Sequence, residues 1–111
     1  MSCVALLRRL IKSHPLIVFA KSYCPYSQAA KATLHKYVSD SELFCVDIDI
    51  EFPDPAVLGQ FQDDLQRLVG ERTVPQIFCG GKYLGDSQAL TALDEAGELK
   101  QKLIAAVRQR S

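Results

Sequence analysis

The chain has no excess of charge of either sign: 13 Lys and Arg offset 13 Asp and Glu over 111 residues. A balanced chain sets up no global field to attract nucleic acid or an anionic membrane surface. It also has no apolar window near the ~20 residues that a membrane-spanning helix requires. The stretch Met1 to Leu10 is apolar but broken by Arg8 and Arg9, which is not a signal-peptide layout. Repeats and low-complexity tracts are missing, and the 6 Gly and 5 Pro are too few for a disordered or fibrous chain. The four cysteines, Cys3, Cys24, Cys45 and Cys79, stand far apart. No two of them have metal-ligand spacing, and none forms a C-x-x-C pair. At 48% hydrophobic content, disulfide staples are not needed either. These exclusions leave one globular domain over residues 1–111, expected to be a monomer in a reducing, cytoplasmic setting. A soluble piece of a longer organellar or secretory precursor has the same composition.

What is present is ordered by periodicity. The spacing of Val4, Leu7, Leu10 and Ile11 predicts an amphipathic helix near 3–13. The apolar run Pro15-Leu16-Ile17-Val18-Phe19-Ala20 reads as a buried strand, and a helix is expected near 25–38. Phe44, Val46 and Ile48 alternate in a strand near 43–49. Val57, Leu58, Phe61, Leu65 and Leu68 form the apolar stripe of a helix near 55–69, which Gly70 ends. Gly80-Gly81 joins the strands 76–79 and 82–84 as a hairpin. Leu90 and Leu93, a break at Gly97, then Leu99, Leu103 and Val107 mark two final helices. Strands connected through helices pair in parallel, and the hairpin adds an antiparallel edge. The fold class is α/β, with a mixed sheet flanked by helices. Cys45 and Cys79 fall inside strands and are expected to be small buried hydrophobes.

Chemistry concentrates in Lys21-Ser22-Tyr23-Cys24-Pro25-Tyr26-Ser27-Gln28. Cys24 falls at the junction of strand and helix, where the unpaired N–H groups of the first helical turn face it. Pro25 suits the first helical position, since its fixed φ fits and its missing N–H had no partner to lose. A helix start beside a cation, here Lys21, lowers a thiol pKa from ~8.5 into roughly the 3.5–7.5 range. Ser27 occupies the place where a dithiol site has its second cysteine. An inert buried cysteine is the bland alternative, but it leaves Lys21 and Pro25 without a common reason.

Lys21 to Tyr26 resembles the active-site motif of glutaredoxins, and further family segments follow in order. These are Phe61-Gln62, Arg72-Thr73-Val74-Pro75-Gln76-Ile77-Phe78, Gly80 to Gly85 and Ala96-Gly97-Glu98-Leu99. The resemblance covers residues 3 to 107. It implies a thioredoxin-like fold with a four-stranded sheet, a catalytic Cys24 supported by Pro25 and Ser27, and a glutathione groove. Lys21 and Gln62 would face the glycyl carboxylate, with Arg72 as a further cation and Tyr26 flanking the groove. Thr73-Val74-Pro75 would place a cis-proline beside the thiol, with the Val74 backbone pairing the cysteinyl unit of glutathione. The γ-glutamyl end would lie at Gly85, Asp86 and Ser87. There the chain departs from the family pattern of Gly-Gly, then Ser or Cys, then Asp, because Asp86 and Gln88 replace the second glycine and the carboxylate. Asp86 is expected to cap the next helix, with or without a ligand contact.

With one sulfur, the implied reaction is reduction of protein–glutathione mixed disulfides by a monothiol ping-pong cycle. The partners would then be glutathione and glutathionylated proteins. Serine at this position occurs in natural members and is also the laboratory substitution that traps a mixed disulfide. The sequence is compatible with both origins. The alternative is a carrier or redox sensor in which two protomers and two glutathiones hold a [2Fe–2S] cluster. Pro25 argues against it by stiffening the helix start, as does the absence of the Cys-Gly-Phe-Ser motif and the insertion of the dedicated carriers. No metal site formed by the protein alone is expected.

Overall fold

The computed structural model describes residues 4–108. The strand β1 (Leu16–Ala20) organises everything else, and all five of its residues are buried. It pairs in parallel with β2 (Phe44–Asp47) on one side and antiparallel with β3 (Gln76–Cys79) on the other. The hairpin partner β4 (Lys82–Gly85) completes a four-stranded sheet of order β2-β1-β3-β4. A strand of unbroken hydrophobicity needs cover on both faces, and helices supply it.

Successive side chains of β1 point to opposite faces, so its residues divide between two cores. Leu16, Val18 and Ala20 join Ala30 and Leu34 of α2 (Pro25–Leu34), Leu90 of α5 (Ser87–Glu95), and Leu99 and Leu103 of α6 (Leu99–Arg108). Ile17 and Phe19 join Leu7 and Ile11 of α1 (Val4–Ser13), Ile48 of α3 (Ile48–Glu51) and Leu65 of α4 (Pro55–Val69). Helix α4 starts where Asp54 accepts a hydrogen bond of 2.9 Å from the Ala56 N–H, and it ends at Gly70 with φ +86°. That left-handed C-cap is the stop the sequence signals. No helix of the described residues is long and apolar enough to cross a membrane.

Five expectations need correction. Helix α2 ends at Leu34 rather than near residue 38, because residues 35–37 turn away to meet α5. There Tyr37 donates to Asp94, which also accepts from Lys36 Nζ at 2.5 Å. Strand β2 is shorter than 43–49, since the chain coils into α3 at the buried Ile48. Being an edge strand, β2 leaves Cys45 exposed instead of buried. Phe44 is also 39% exposed and stacks on His14 at a 3.9 Å ring separation. Val57, in the first turn of α4, is exposed and does not face the core. Cys79 is only half-buried, and its thiol donates to the Lys102 carbonyl at 3.4 Å. Desolvation pushes that thiol up, against the opposing charge of Lys102, which makes it a poor nucleophile. Cys3 and the start of the helix expected near 3–13 lie outside the described residues.

Candidate active site

The sheet order brings three segments together at one end. Because β1 and β2 run parallel, with Ala20 opposite Asp47, the residues after β1 lie beside those after β2. Because β3 runs antiparallel, with Phe19 opposite Gln76, the residues before β3 reach the same end. The loop Lys21–Cys24 is therefore flanked by α3 on one side and by Val74–Pro75 on the other.

Cys24 is the N-cap of α2, with extended φ −86° and ψ 121°, and Pro25 takes the first helical position. Its own N–H donates to the Lys21 carbonyl at 3.1 Å, closing the loop, and its carbonyl accepts from Gln28 at 3.0 Å. Cys24 is partly exposed. Desolvation pushes its pKa up, but the Ser27 N–H, the Ser27 hydroxyl, the Tyr26 N–H and the Lys21 charge together outweigh that and leave it lowered. All four favour the thiolate, and three of them are hydrogen bonds from the helix start. The helix and the cation activate the sulfur, as the sequence suggests.

Ser27 is fully buried. Its hydroxyl oxygen accepts from the Lys21 N–H at 3.2 Å, while its proton serves the sulfur. The residue thus links both ends of the loop. Tyr23 and Tyr26, 68% and 69% exposed, stand out on the surface on either side of Cys24 in the chain.

On the opposite flank the Val74–Pro75 peptide bond is cis. The loop before it is braced from the protein side through three successive carbonyls. Gln76 Nε2 donates to Glu71 O at 2.7 Å and Thr73 O at 3.0 Å, and Gln62 Nε2 donates to Arg72 O at 3.3 Å. Among the described residues, no backbone hydrogen bond engages Val74, and Pro75 has no N–H. The result is a braced bend whose Val74 backbone keeps free pairing capacity, at the same end of the sheet as Cys24.

Arg72 is engaged with α4. Its guanidinium donates to Asp63 Oδ1 at 3.0 Å and to Gly59 O at 3.4 Å, so it ties the loop to α4. Asp86 is the N-cap of α5 and accepts from the Ala89 N–H at 3.0 Å. Gly85 precedes it at φ +134°, and a Cβ there would run into the Ala89 methyl group, so only glycine fits. Ser87 opens α5 immediately afterwards.

Sequence reasoning missed the contacts of Ser22. Its N–H and hydroxyl donate to the two carboxylate oxygens of Asp49 at 2.9 and 2.5 Å, and its carbonyl accepts from Gln28 Nε2 at 3.0 Å. The only available signal was topological: parallel pairing of the strands places residues after β2 next to residues after β1.

An activated thiol at the start of the first crossover helix, with a cis-proline at the same end of a β2-β1-β3-β4 sheet, defines a thiol-redox domain of the thioredoxin-like fold. Comparison with known proteins narrows the class. The glutaredoxin family model matches residues 16–84, and the chain belongs to the glutaredoxin family. It is 38% identical over 93 residues to glutaredoxin-C8 of Oryza sativa subsp. japonica, a match covering 84% of this chain and 65% of that protein. The chain thus spans slightly less than two thirds of that relative's length. Among solved structures, oxidised glutaredoxin 2 of Chlamydomonas reinhardtii superposes with a TM-score of 0.82 at 29% identity, covering 93% of this chain and 92% of the other. A buckwheat glutaredoxin–glutathione complex superposes with a TM-score of 0.80 at 26% identity, covering 93% and 88%.

Proposed function

We propose that the protein is a glutathione-dependent oxidoreductase that reduces protein–glutathione mixed disulfides through Cys24 alone. The observation that carries this reading is Ser27, a buried hydroxyl on the Cys24 sulfur where a resolving thiol would stand. A hydroxyl cannot displace a thiolate at neutral pH, so the second thiol must come from solution. In the first step the Cys24 thiolate attacks the glutathione sulfur of the substrate. A Cys24–glutathione disulfide forms, the substrate disulfide breaks, and the electron pair leaves with the substrate sulfur. In the second step a free glutathione thiolate attacks the bound glutathione sulfur. Oxidised glutathione departs and the Cys24 thiolate returns, so each turnover consumes one free glutathione thiol, and the other half of the oxidised glutathione comes from the substrate.

The buckwheat relative was solved with glutathione, and the same kind of groove suits this chain. Lys21 and Gln62 take the glycyl carboxylate, while the unengaged Val74 backbone pairs with the cysteinyl unit as an added strand. Thr73, Pro75 and Tyr26 line the groove, and Arg72 contributes by fixing the loop to α4. Gly85, Asp86 and Ser87 receive the γ-glutamyl end, with the Asp86 carboxylate available to its ammonium beyond the capping bond. Such an enzyme works as a monomer in a cytoplasmic, reducing setting, where glutathione is largely in the thiol form.

Initial rates test the cycle. With a glutathionylated substrate varied at several fixed glutathione concentrations, double-reciprocal plots are expected to be parallel, as for any ping-pong enzyme. Intersecting lines would exclude a free Cys24–glutathione intermediate. Brown colour with visible absorption after anaerobic purification would instead favour the cluster carrier.

A further inference from the structure

Ser22 is held at every polar group it has. Its N–H and hydroxyl are taken by both oxygens of the Asp49 carboxylate at 2.9 and 2.5 Å, and its carbonyl by the Gln28 amide at 3.0 Å. Asp49 is 27 residues away in sequence and belongs to α3, a different element from the one that carries Cys24. Bidentate capture of one N–H and one O–H by a single carboxylate fixes orientation as well as distance. We propose that Asp49 is a positioning residue for the Cys24 thiolate, acting through Ser22 to hold the Lys21–Cys24 loop in the geometry that activates the sulfur. This inference rests on the reading of Cys24 as the nucleophile.

Lys21 and Cys24, the two residues whose relative placement matters, are joined by the Cys24 N–H to Lys21 carbonyl bond at 3.1 Å. Lys21 is fixed on one side by the Ser27 hydroxyl at 3.2 Å. Between them stand Ser22 and Tyr23, and Tyr23 is mostly exposed, so the clamp on Ser22 is what holds the middle of the loop to the body of the protein. The anchor is itself rigid, since Ile48, next to Asp49, is fully buried against β1. The charged groups around it are Lys21 in the loop, Glu51 on α3, and Asp47, which is occupied by Lys31 at 2.6 Å. The Ser22 hydroxyl is the chief cause that holds the Asp49 carboxyl below its usual range, against desolvation and with help from the Ser22 N–H. Asp49 is therefore ionised, and an acceptor only, throughout the pH range in which a thiol titrates.

A positioning role and a mere charge effect predict opposite signs. Removing an anion near a thiolate favours the thiolate, whereas releasing the loop disfavours it. The test is the pH dependence of alkylation of Cys24, followed on the Cys24 peptide by mass spectrometry, in wild type, Asp49→Ala, Asp49→Asn, Ser22→Ala and the Asp49→Ala/Ser22→Ala double variant. The midpoint is expected to rise by roughly 0.5–1 unit in Asp49→Ala, about the weight of one hydrogen bond. Ser22→Ala, which keeps the N–H bond, is expected to raise it by less. Asp49→Asn keeps the shape and one acceptor, so it is expected to fall between wild type and Asp49→Ala, and it remains informative if the alanine variant fails to fold. The double variant is expected to match Asp49→Ala, because the two side chains form one clamp. An unchanged or lowered midpoint in the Asp49 variants, or additive shifts in the double, would overturn the proposal. A wild-type midpoint at the value of a free thiol would overturn the reading of Cys24 instead, so the two failures are distinguishable.

Discussion

Cys24→Ser is expected to lose turnover of glutathione mixed disulfides by at least ~10³-fold, since it removes the nucleophile and not merely a contact. The structure favours a clean result. Serine is itself a favoured N-cap residue, and its hydroxyl oxygen can take the place of the sulfur as acceptor for the Tyr26 and Ser27 N–H groups. Helix α2 should therefore survive the exchange, and unchanged circular dichroism and thermal melting would show that only the chemistry was lost. Cys45 and Cys79 offer no bypass, because desolvation raises both thiol pKa values and neither is at a helix start. Activity within tenfold of wild type would remove Cys24 from the mechanism.

The second large effect is expected at Ser27→Ala. The substitution removes the hydroxyl proton from the Cys24 thiolate and leaves the Lys21 N–H without its acceptor. Hydrogen bonds to charged groups contribute about 1.5–3 kcal/mol, and 1.36 kcal/mol corresponds to about one pKa unit. Cys24 is partly exposed and its charge is screened by solvent, so the lower end applies, a rise of about one unit. The sign follows from the lowered pKa of Cys24. Wild type holds a reactive thiolate down to a lower pH than the variant does, so its advantage is greatest between the two midpoints. Above both, the two proteins converge. The pH–rate profile of alkylation should move to higher pH by that amount, with the alkaline plateau unchanged. A profile that stays in place would mean that the helix N–H groups and Lys21 suffice.

Much of this architecture can be read from local pattern. The unbroken run of β1 predicts a strand covered on both faces, and its alternate residues do divide between two cores. Pro25 after Cys24 marks the helix start, and Gly70 marks the stop of α4, because each residue suits a single backbone geometry. Asp86 caps α5 for the same reason. What local pattern does not contain is strand order. The exposure of Cys45 and Phe44 follows from β2 being an edge, which no property of residues 43–49 reveals. The Asp49–Ser22 clamp depends on parallel pairing across 27 residues. The attachment of Arg72 to α4 is made by Asp63 and Gly59, 9 and 13 residues away in sequence, and is likewise invisible in the local motif.

The central claim is that Cys24 carries glutathione, and carries it alone, midway through the cycle. Reduced protein mixed with a glutathionylated substrate protein and quenched in acid before free glutathione is added tests it most directly, by intact mass and peptide mapping. The predicted product is a single glutathione disulfide on Cys24 with the substrate released as free thiol. A disulfide between Cys24 and the substrate protein, or glutathione on Cys45 or Cys79 with Cys24 unmodified, would contradict it.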